Sequence, residues 1–539
     1  MQPDFDIDRY NERLNALYSR FQSVQKVGFT GNAYKPGLSG MVRFSALLGN
    51  PWKQYPCIHV AGTNGKGSVC SMLAAALAAG EAVRGSYLSG PVRGGSGANG
   101  LTRRQYDTMH VGLYTSPHLL DFRERMKIVS GEGFEMISRE EVWEFLNLYE
   151  SDFEGLSFFE ITTGMAFWWF ARQGVDAAVI ETGLGGRLDS TNIITPVLSV
   201  VTSIGLDHCA LLGSTRAAIA QEKAGIFKPG VPAVAGVRDA ETAPVFEKVA
   251  AQVGTPLVFA SDVQKFAGES ELLAKMDLTG PCQDLNLHTV LVALDILENT
   301  EDLGRIRPKT HQVAVSEGVP GANKAKSAPG SSPERGTWGE KGIKCTRSVF
   351  DAIAEAGKRT GLCGRWQRIC EKPEVICDIG HNPPALKENF ARLAALAEGQ
   401  GYAAGLGRTN NQPYQVIIIY GIMADKDLAG IAPLMPAKAK YILAAPDNQR
   451  AMPAEELAAK LKALRPELDC RVSGGPAASK PGASQGGSAA EAGRGGSVAA
   501  AVRQALDLAQ DLPNALIYIG GSTFVVAEAL PLFNKTTEL

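Results

Sequence analysis

The chain reads as an α/β protein built on parallel sheets, on three observations. Short, continuous apolar runs recur along it. Each leads into a turn containing Gly, Asp or His, and each turn leads into a helical pattern. Continuous rather than alternating apolar strands mark a sheet covered on both faces, and intervening helices mark the crossovers. In order, the runs are Cys57–Ala61, Val111–Tyr114, Ala177–Ile180, Val197–Ile204, Val375–Cys377, Val416–Tyr420, Tyr441–Ala445 and Leu516–Ile519.

Four stretches do not fit this pattern. Arg84–His110 contains RGGSGANG, and Glu298–Thr346 is rich in Lys, Pro, Gly and Ser. Ala397–Asn411 is a short Gly/Ala/Asn segment, and Val472–Ala500 is Gly/Ser/Ala low complexity. None has a sustained apolar period, so they read as loops or disordered insertions. They also account for the high glycine content, 59 of 539 residues, against a usual share of about 7%. At about 150 residues per domain the length suggests three or four domains; setting the insertions aside leaves two. The first is expected over residues 1–360, with insertions at 84–110 and 298–346. The second is expected over 361–539, with insertions at 397–411 and 472–500, and the junction falls near Thr360.

Composition excludes several classes. Lys plus Arg is 54 and Asp plus Glu is 56, a net charge of −2. No basic field draws the protein to nucleic acid or to an anionic membrane. Met1–Tyr10 is polar and acidic, unlike a secretory signal. The most apolar stretch, Ile161–Ile180, contains Arg172, Gln173 and Asp176, which breaks a membrane span. There are nine cysteines and no CxxC pair. Cys363, Cys370 and Cys377 are evenly spaced but lack the paired spacing of zinc sites. A cytoplasmic protein with scattered reduced thiols is expected.

Cys57–Ala61 runs into Gly62-Thr63-Asn64-Gly65-Lys66-Gly67-Ser68, and a helical pattern follows over Val69–Ala79, with Gly80 as a C-cap. Strand, Gly-rich turn and helix form the context of a phosphate loop. Glycines let backbone N–H groups turn toward phosphate oxygens, and the helix N-terminus adds its dipole. Lys66 supplies a point charge. The usual GxxxxGK[ST] spacing is not met: Gly67 follows the lysine, and the hydroxyl falls at Ser68.

Three polar groups lie beyond the carboxyl ends of expected strands. Ser116 follows Val111–Tyr114, Glu181 closes Ala177–Ile180, and His208 follows Val197–Ile204 beside Asp207. Ligands of open parallel sheets bind outside those ends. A hydroxyl, a carboxylate and an imidazole beside a phosphate loop suit Mg²⁺ held partly by nucleotide phosphates, although imidazole is an unusual magnesium ligand. Lys223 sits in a helical pattern, where a lysine reads as a solvated face residue.

Together these residues resemble the folylpolyglutamate synthase/dihydrofolate synthase family of the Mur ligase superfamily. The resemblance rests on Val60–Ser68, Thr115-Ser116-Pro117-His118-Leu119, Glu181–Asn192, Asp207-His208 and Glu222–Ile226. It continues through Gly364-Arg365, Asp378–Asn382, Asp425-Lys426-Asp427 and Gly520–Phe524. It implies a P-loop ATPase-type domain of Mur ligase type, followed by a smaller Rossmann-like domain. The implied activity is an ATP-dependent amide ligase adding L-glutamate to dihydropteroate or to a folate. Carried over by residue, the resemblance implies that Asn64, Gly65, Lys66, Gly67 and Ser68 contact ATP phosphates. It implies that Asn286, Arg365 and Asp378 contact the nucleotide. Ser116, Glu181, His208 and a carbamylated Lys223 would hold Mg²⁺. Phe159, Glu160, Thr162, Leu188, Asp189 and Ser190 match pterin-side positions. Lys66, Lys223 and His381 are the candidate catalytic residues, with His381 near the expected interdomain cleft.

The chain departs from the family at three positions. Cys282-Gln283 stands where His-Gln is frequent, and Ser190 and Gly380 stand where Ala is common. The insertion at 84–110 falls between the phosphate-loop helix and Thr115–His118, where a lengthened substrate-side loop is expected. A monomer acting on ATP, glutamate and a pterin acceptor is expected, with no nucleic-acid or membrane partner. Two alternatives stay open: a Mur-type cell-wall ligase, and a non-catalytic ATP-binding module.

Overall fold

A computed structural model of the chain describes residues 5–21, 37–79, 109–299, 347–400, 412–474 and 496–534. Gly80 and most of the four glycine-rich stretches (84–108, 300–346, 401–411 and 475–495) lie outside those residues. Their expected edges prove to be ordered. Glu298 closes the helix Gln283–Glu298, and Ala397 closes the helix Pro383–Ala397. Val472 ends a strand, and Val498 starts the helix Val498–Gln510. Composition blurred these edges because short polar and alanine-rich residues continue from the helices into the loops.

The first sheet has eight strands: β1 (Cys57–Ala61), β2 (Val111–Tyr114), β3 (Met126–Ser130), β4 (Gly133–Met136), β5 (Ala177–Glu181), β6 (Leu198–Val201), β7 (Ala233–Ala235) and β8 (Leu257–Phe259). Their order is β4-β3-β2-β5-β1-β6-β7-β8. The second sheet holds β9 (Gln367–Glu371), β10 (Glu374–Cys377), β11 (Gln415–Tyr420), β12 (Lys440–Leu443), β13 (Asp469–Val472) and β14 (Ala515–Gly520), ordered β13-β12-β11-β14-β10-β9.

Neither sheet is wholly parallel, which corrects the expectation from the apolar runs. β3 runs antiparallel to β2, β4 to β3, and β9 to β10. β4 and β9 are edge strands with solvent-facing residues, so they lack the continuous apolar signature of a buried parallel strand. β7 and β8 are three residues each, too short to register as runs.

β1 lies between β5 and β6, and its chain passes into the helix Lys66–Ala79. That helix starts three residues earlier than its pattern suggested. Gly67 is a poor helix former, yet Gly67 through Ala78 are all buried, so packing decides the boundary. Its run of alanines lets the helices Gln283–Glu298 and Arg347–Ala354 approach closely, and all three share one core with the apolar residues of β1, β2, β5 and β6. A helix apolar all round belongs in such an interior position.

The seam between the sheets is pinned from the first. Lys127 on β3 is buried, and its Nζ donates to the carbonyls of Thr360 (2.7 Å) and Gly361 (3.2 Å). These carbonyls end the helix Ala356–Thr360, where a cation suits the dipole. Gln367 then opens the second sheet.

Candidate active site

The phosphate loop connects β1 to its helix with Gly62 and Gly65 at positive φ. At Gly65 a Cβ would collide with Asn286 Oδ1, so only glycine lets the loop meet the helix Gln283–Glu298. Residues just past β6 brace the loop. Thr63 N donates to Ser203 O (2.7 Å), Thr202 Oγ1 donates to Asn64 O (2.6 Å), and Thr63 Oγ1 donates to Gly205 O (3.1 Å). The apolar run Val197–Ile204 therefore overstates the strand, which stops at Val201 so that Thr202 and Ser203 can turn to the loop.

Two lysines converge on one carbonyl. Lys66 Nζ donates to Gly62 O at 3.0 Å, and Lys223 Nζ donates to the same oxygen at 2.8 Å. Lys223 is buried, which overturns its reading as a solvated helix residue. The loop Gly183–Asn192 is folded tightly onto the end of its helix: a Cβ at Gly186 would lie 2.8 Å from Glu222 O and 2.9 Å from Lys223 O. Burial, with Lys66 adding repulsion, pushes the Lys223 amine down to about 7. A neutral amine near pH 7 is the form that can react with CO₂.

Glu181 ends β5 next to these amines. Its Oε2 accepts from Ser116 N at 3.1 Å, and its Oε1 is 4.0 Å from Lys66 Nζ. Burial raises its pKa, against the pull of Lys66. His208 has a left-handed backbone (φ 51). Burial pushes its imidazole down to about 4, opposed by Asp207. Neutral imidazole is the metal-binding form. Lys223 and Glu181 thus flank the loop, with Ser116 bonded to Glu181 through its backbone and His208 beside Asp207. Among the described residues, no three His, Cys, Asp or Glu side chains converge as a metal site. A cation here therefore needs donors beyond Glu181 and His208, which Ser116, a carbamate and phosphate oxygens would provide.

The second domain reaches this loop. Arg365 extends its guanidinium to Gly67: a Cβ there would be 3.1 Å from Nη2. Asn64 and Asn382 exchange amide hydrogen bonds, 3.1 Å from Asn64 and 3.0 Å from Asn382. The side chain of Asn64 is therefore committed across the cleft, and its backbone is held by Thr202 and Ser203, its N–H donating to Ser203 Oγ at 3.3 Å. Asn382 also caps the helix Pro383–Ala397 and donates to Asp207 Oδ2 at 3.0 Å. Lys426 Nζ donates to Asp207 Oδ1 at 2.8 Å, and His381 Nε2 lies 3.7 Å from Asp207 Oδ2. Burial alone would raise the Asp207 pKa, but His208, His381 and Lys426 outweigh it and hold the carboxylate well below its usual range. Asp378 accepts from Trp366 N (2.8 Å), Gly380 N (2.7 Å) and Asn389 Nδ2 (2.7 Å), and so shapes the loops carrying Arg365 and His381.

Asn286 donates to Gln283 Oε1 (3.0 Å), and Gln283 donates to Ser68 Oγ (3.2 Å), which links that helix to the loop. On the wall formed by the start of the helix Phe158–Gln173, the Phe159 ring lies beside Tyr114 and against Gly183. Glu160 and Thr162 are turned inward. Glu160 is the reciprocal cap of Ser157 at the start of the helix Phe158–Gln173, and Thr162 bonds the Tyr114 hydroxyl at 3.0 Å. Their side chains support the wall rather than line it. Asp189 is buried and accepts from Leu184 N (2.8 Å) and Thr191 N (3.0 Å); Leu188 and Ser190 beside it are half-buried.

Asp207, Asn382, Lys426, Gln283, Thr202 and Ser203 belong to the site, although residue type and spacing assigned them no role. Asp207, Asn382 and Lys426 did lie in motifs that carry the family resemblance, and Gln283 beside one of its departures; their meeting across domains is purely tertiary.

Residues 364–523 match the family described as Mur ligase, glutamate ligase domain. The chain is 31% identical over 429 residues to the folylpolyglutamate synthase of Lacticaseibacillus casei, covering 75% of this chain and 80% of that protein. The chain belongs to the folylpolyglutamate synthase/dihydrofolate synthase family. It is 30% identical over 373 residues to the dihydrofolate synthase/folylpolyglutamate synthase of Escherichia coli K12, covering 69% and 68% of the two chains. The fold is that of solved family structures. Escherichia coli FolC in complex with DHPP and ADP superposes with a TM-score of 0.64 at 22% identity, covering 98% of each chain. The Yersinia pestis bifunctional enzyme complexed with AMPPNP and Mn gives 0.65 at 23%, covering 97% and 98%. As a family member, the chain is an ATP-dependent ligase that joins glutamate to a folate or dihydropteroate acceptor. Its relatives place it in the folate branch, away from cell-wall ligases and from a non-catalytic module.

Proposed function

We propose that the ligation proceeds through an acyl phosphate, with ATP and Mg²⁺ bound between the two domains. A carboxylate is a poor electrophile at neutral pH. An oxygen of the acceptor carboxylate attacks the γ-phosphorus and ADP leaves. The glutamate amine then attacks the acyl carbon, phosphate leaves with the bonding electrons, and the nitrogen loses a proton. The protein's contribution to such chemistry is alignment and charge neutralisation.

Roles follow from position. The loop formed by Asn64, Gly65, Gly67 and Ser68 cradles phosphate oxygens, and Lys66 moves from Gly62 O to the transferring phosphoryl group. Arg365, Asn286 and Asp378 hold or shape the nucleotide pocket. Ser116, Glu181, His208 and carbamylated Lys223 hold the cation, which when bound neutralises phosphate charge. Phe159, Leu188, Asp189 and Ser190 receive the pterin end of the acceptor, with Glu160 and Thr162 behind them. His381 supplies an imidazole at the cleft where the amine arrives. The carrying observation is the convergence of Lys66, Lys223 and Glu181 with Arg365 and the Asp207 cluster of the second domain. The enzyme acts on small molecules as a cytoplasmic monomer, and both acceptors are candidates.

The test is incorporation of labelled glutamate with dihydropteroate and with tetrahydrofolate as acceptors, in wild type and Lys66→Ala. Loss of at least about 100-fold in kcat is expected for the variant. Undiminished ATP-dependent product formation by Lys66→Ala would refute the assignment.

A further inference from the structure

His59 sits in the middle of β1, opposite Ile180 of β5 and Ser199 of β6. Strand alternation sends Ile58 and Val60 to the phosphate-loop helix and turns Cys57, His59 and Ala61 to the other face. His59 is completely buried. An imidazole there has to be hydrogen-bonded or it destabilises the fold.

Its Nε2 lies 2.8 Å from Thr191 Oγ1, and Thr191 Oγ1 is in turn bonded to Asp189 Oδ1. The hydrogen-bond partners favour one proton arrangement along this chain. Both oxygens of Asp189 accept backbone N–H groups, from Thr191 and Leu184, which favour the ionised carboxylate although burial raises its pKa. The Thr191 hydroxyl therefore donates to Asp189, and its remaining lone pairs accept from His59 Nε2–H. Nδ1 has no partner among the described residues. A bare lone pair at Nδ1 is less costly than a buried N–H without an acceptor, so the neutral Nε2–H tautomer is selected. The same surroundings oppose a second proton: burial, then Lys228, push the imidazole down to about 3.

The far end of the chain is in the site. Asp189 closes the turn that begins at Gly183, where the Phe159 ring packs, and its charge is felt by Glu181 and Lys223. We propose that His59 is a positioning residue for the acceptor substrate. Through Thr191 it fixes the orientation of the Asp189 carboxylate and the turn Gly183–Asp189 that receives the pteridine. The inference rests on the proposed acceptor role of that turn. His59 touches neither ATP nor the reacting atoms; it acts from the interior of the sheet.

The experiment measures KM for the pteridine acceptor and for ATP in His59→Leu, His59→Gln, Thr191→Val and Thr191→Ser. His59→Leu and Thr191→Val should raise the acceptor KM about tenfold and leave the ATP KM unchanged. Glutamine places an amide N–H near the Nε2 position, and serine keeps the hydroxyl, so both should recover most of the loss. A merely structural defect in β1 would move the ATP KM as well, because β1 carries the phosphate loop. If wild type ligates glutamate but the acceptor KM stays within twofold in both His59→Leu and Thr191→Val, the positioning role is overturned. A parallel rise in the ATP KM overturns it equally. If His59→Leu does not fold, the Thr191→Val and Thr191→Ser pair decides alone. A wild type without glutamate ligation would instead sink the reading on which the inference stands.

Discussion

The Asp207–Lys426 contact makes a sharp prediction, because it joins two domains at the site. The charges meet at 2.8 Å with side-chain exposures of 11% and 13%. At an effective dielectric of about 20, a pair at that separation attracts by roughly 6 kcal/mol before desolvation. Withdrawing both ions from water costs several kcal/mol of that. A net coupling of about 2–3 kcal/mol is expected, inside the roughly 1.5–7 kcal/mol measured for close charge pairs between proteins. The perturbation is a double-mutant cycle of Asp207→Asn and Lys426→Met, two near-isosteric changes. The assay is kcat/KM for glutamate at saturating ATP and acceptor, read as transition-state free energy. Each single variant should lose activity, since each leaves a buried partner uncompensated. The double variant should retain about 30- to 150-fold more activity than the product of the single losses predicts. Losses that multiply to within about 0.5 kcal/mol would show that the two groups act independently and would refute the cross-domain coupling.

Two further predictions concern other groups. Lys223→Ala should abolish turnover, and a short carboxylate such as acetate should restore part of it by replacing the carbamate; full activity without any additive would eliminate carbamylation. The second prediction concerns stability. His288 Nε2 donates to Ala260 O (2.9 Å), since a carbonyl only accepts, and Nδ1 lies 3.0 Å from Glu269 Oε2, so the protonated imidazole satisfies both contacts. The Glu269 hydrogen bond raises the His288 pKa against burial. Burial would raise the Glu269 pKa, but the bond to His288 outweighs it and lowers it. A raised base stabilises fully below its unfolded value of 6.5 and loses that stability as pH climbs through the folded value. A lowered acid stabilises above 4.5 and loses that stability as pH falls through its folded value. The pair is therefore worth most between those two values, about 1.5–3 kcal/mol for a charge-assisted bond. Thermal melts of Glu269→Gln against wild type should differ most near pH 6 and less at pH 9, and a pH-independent difference would contradict the charged pair.

Much of the fold was legible because buried parallel strands announce themselves. β1, β2, β5, β6, β10, β11, β12 and β14 all lie within or beside continuous apolar runs. The strands left unread are short or two-sided, such as β7 and β9, whose stability comes from neighbours rather than from their own composition. The same division holds in the site. Ser116 and Glu181 sit at strand ends, and Lys66 and His208 a few residues beyond them, where chain order alone points to them. Lys223 was ambiguous because helix position cannot tell solvent from core. Glu160 carries a capping role that a family match cannot distinguish from substrate contact.

The linear sequence by itself determined the two α/β domains, the phosphate loop after β1 and the branch of ligase chemistry, since strand patterning and motifs are local properties of the chain. Only the tertiary structure decided that Lys66 and Lys223 share the Gly62 carbonyl, that Asn64 spends its side chain on Asn382, and that Asp207 gathers Lys426 and His381 from the other domain. It also decided that a histidine inside β1 reaches Asp189 through Thr191. These contacts join residues 130 to 320 positions apart in most cases. Their strength comes from burial and mutual orientation, which no local pattern encodes.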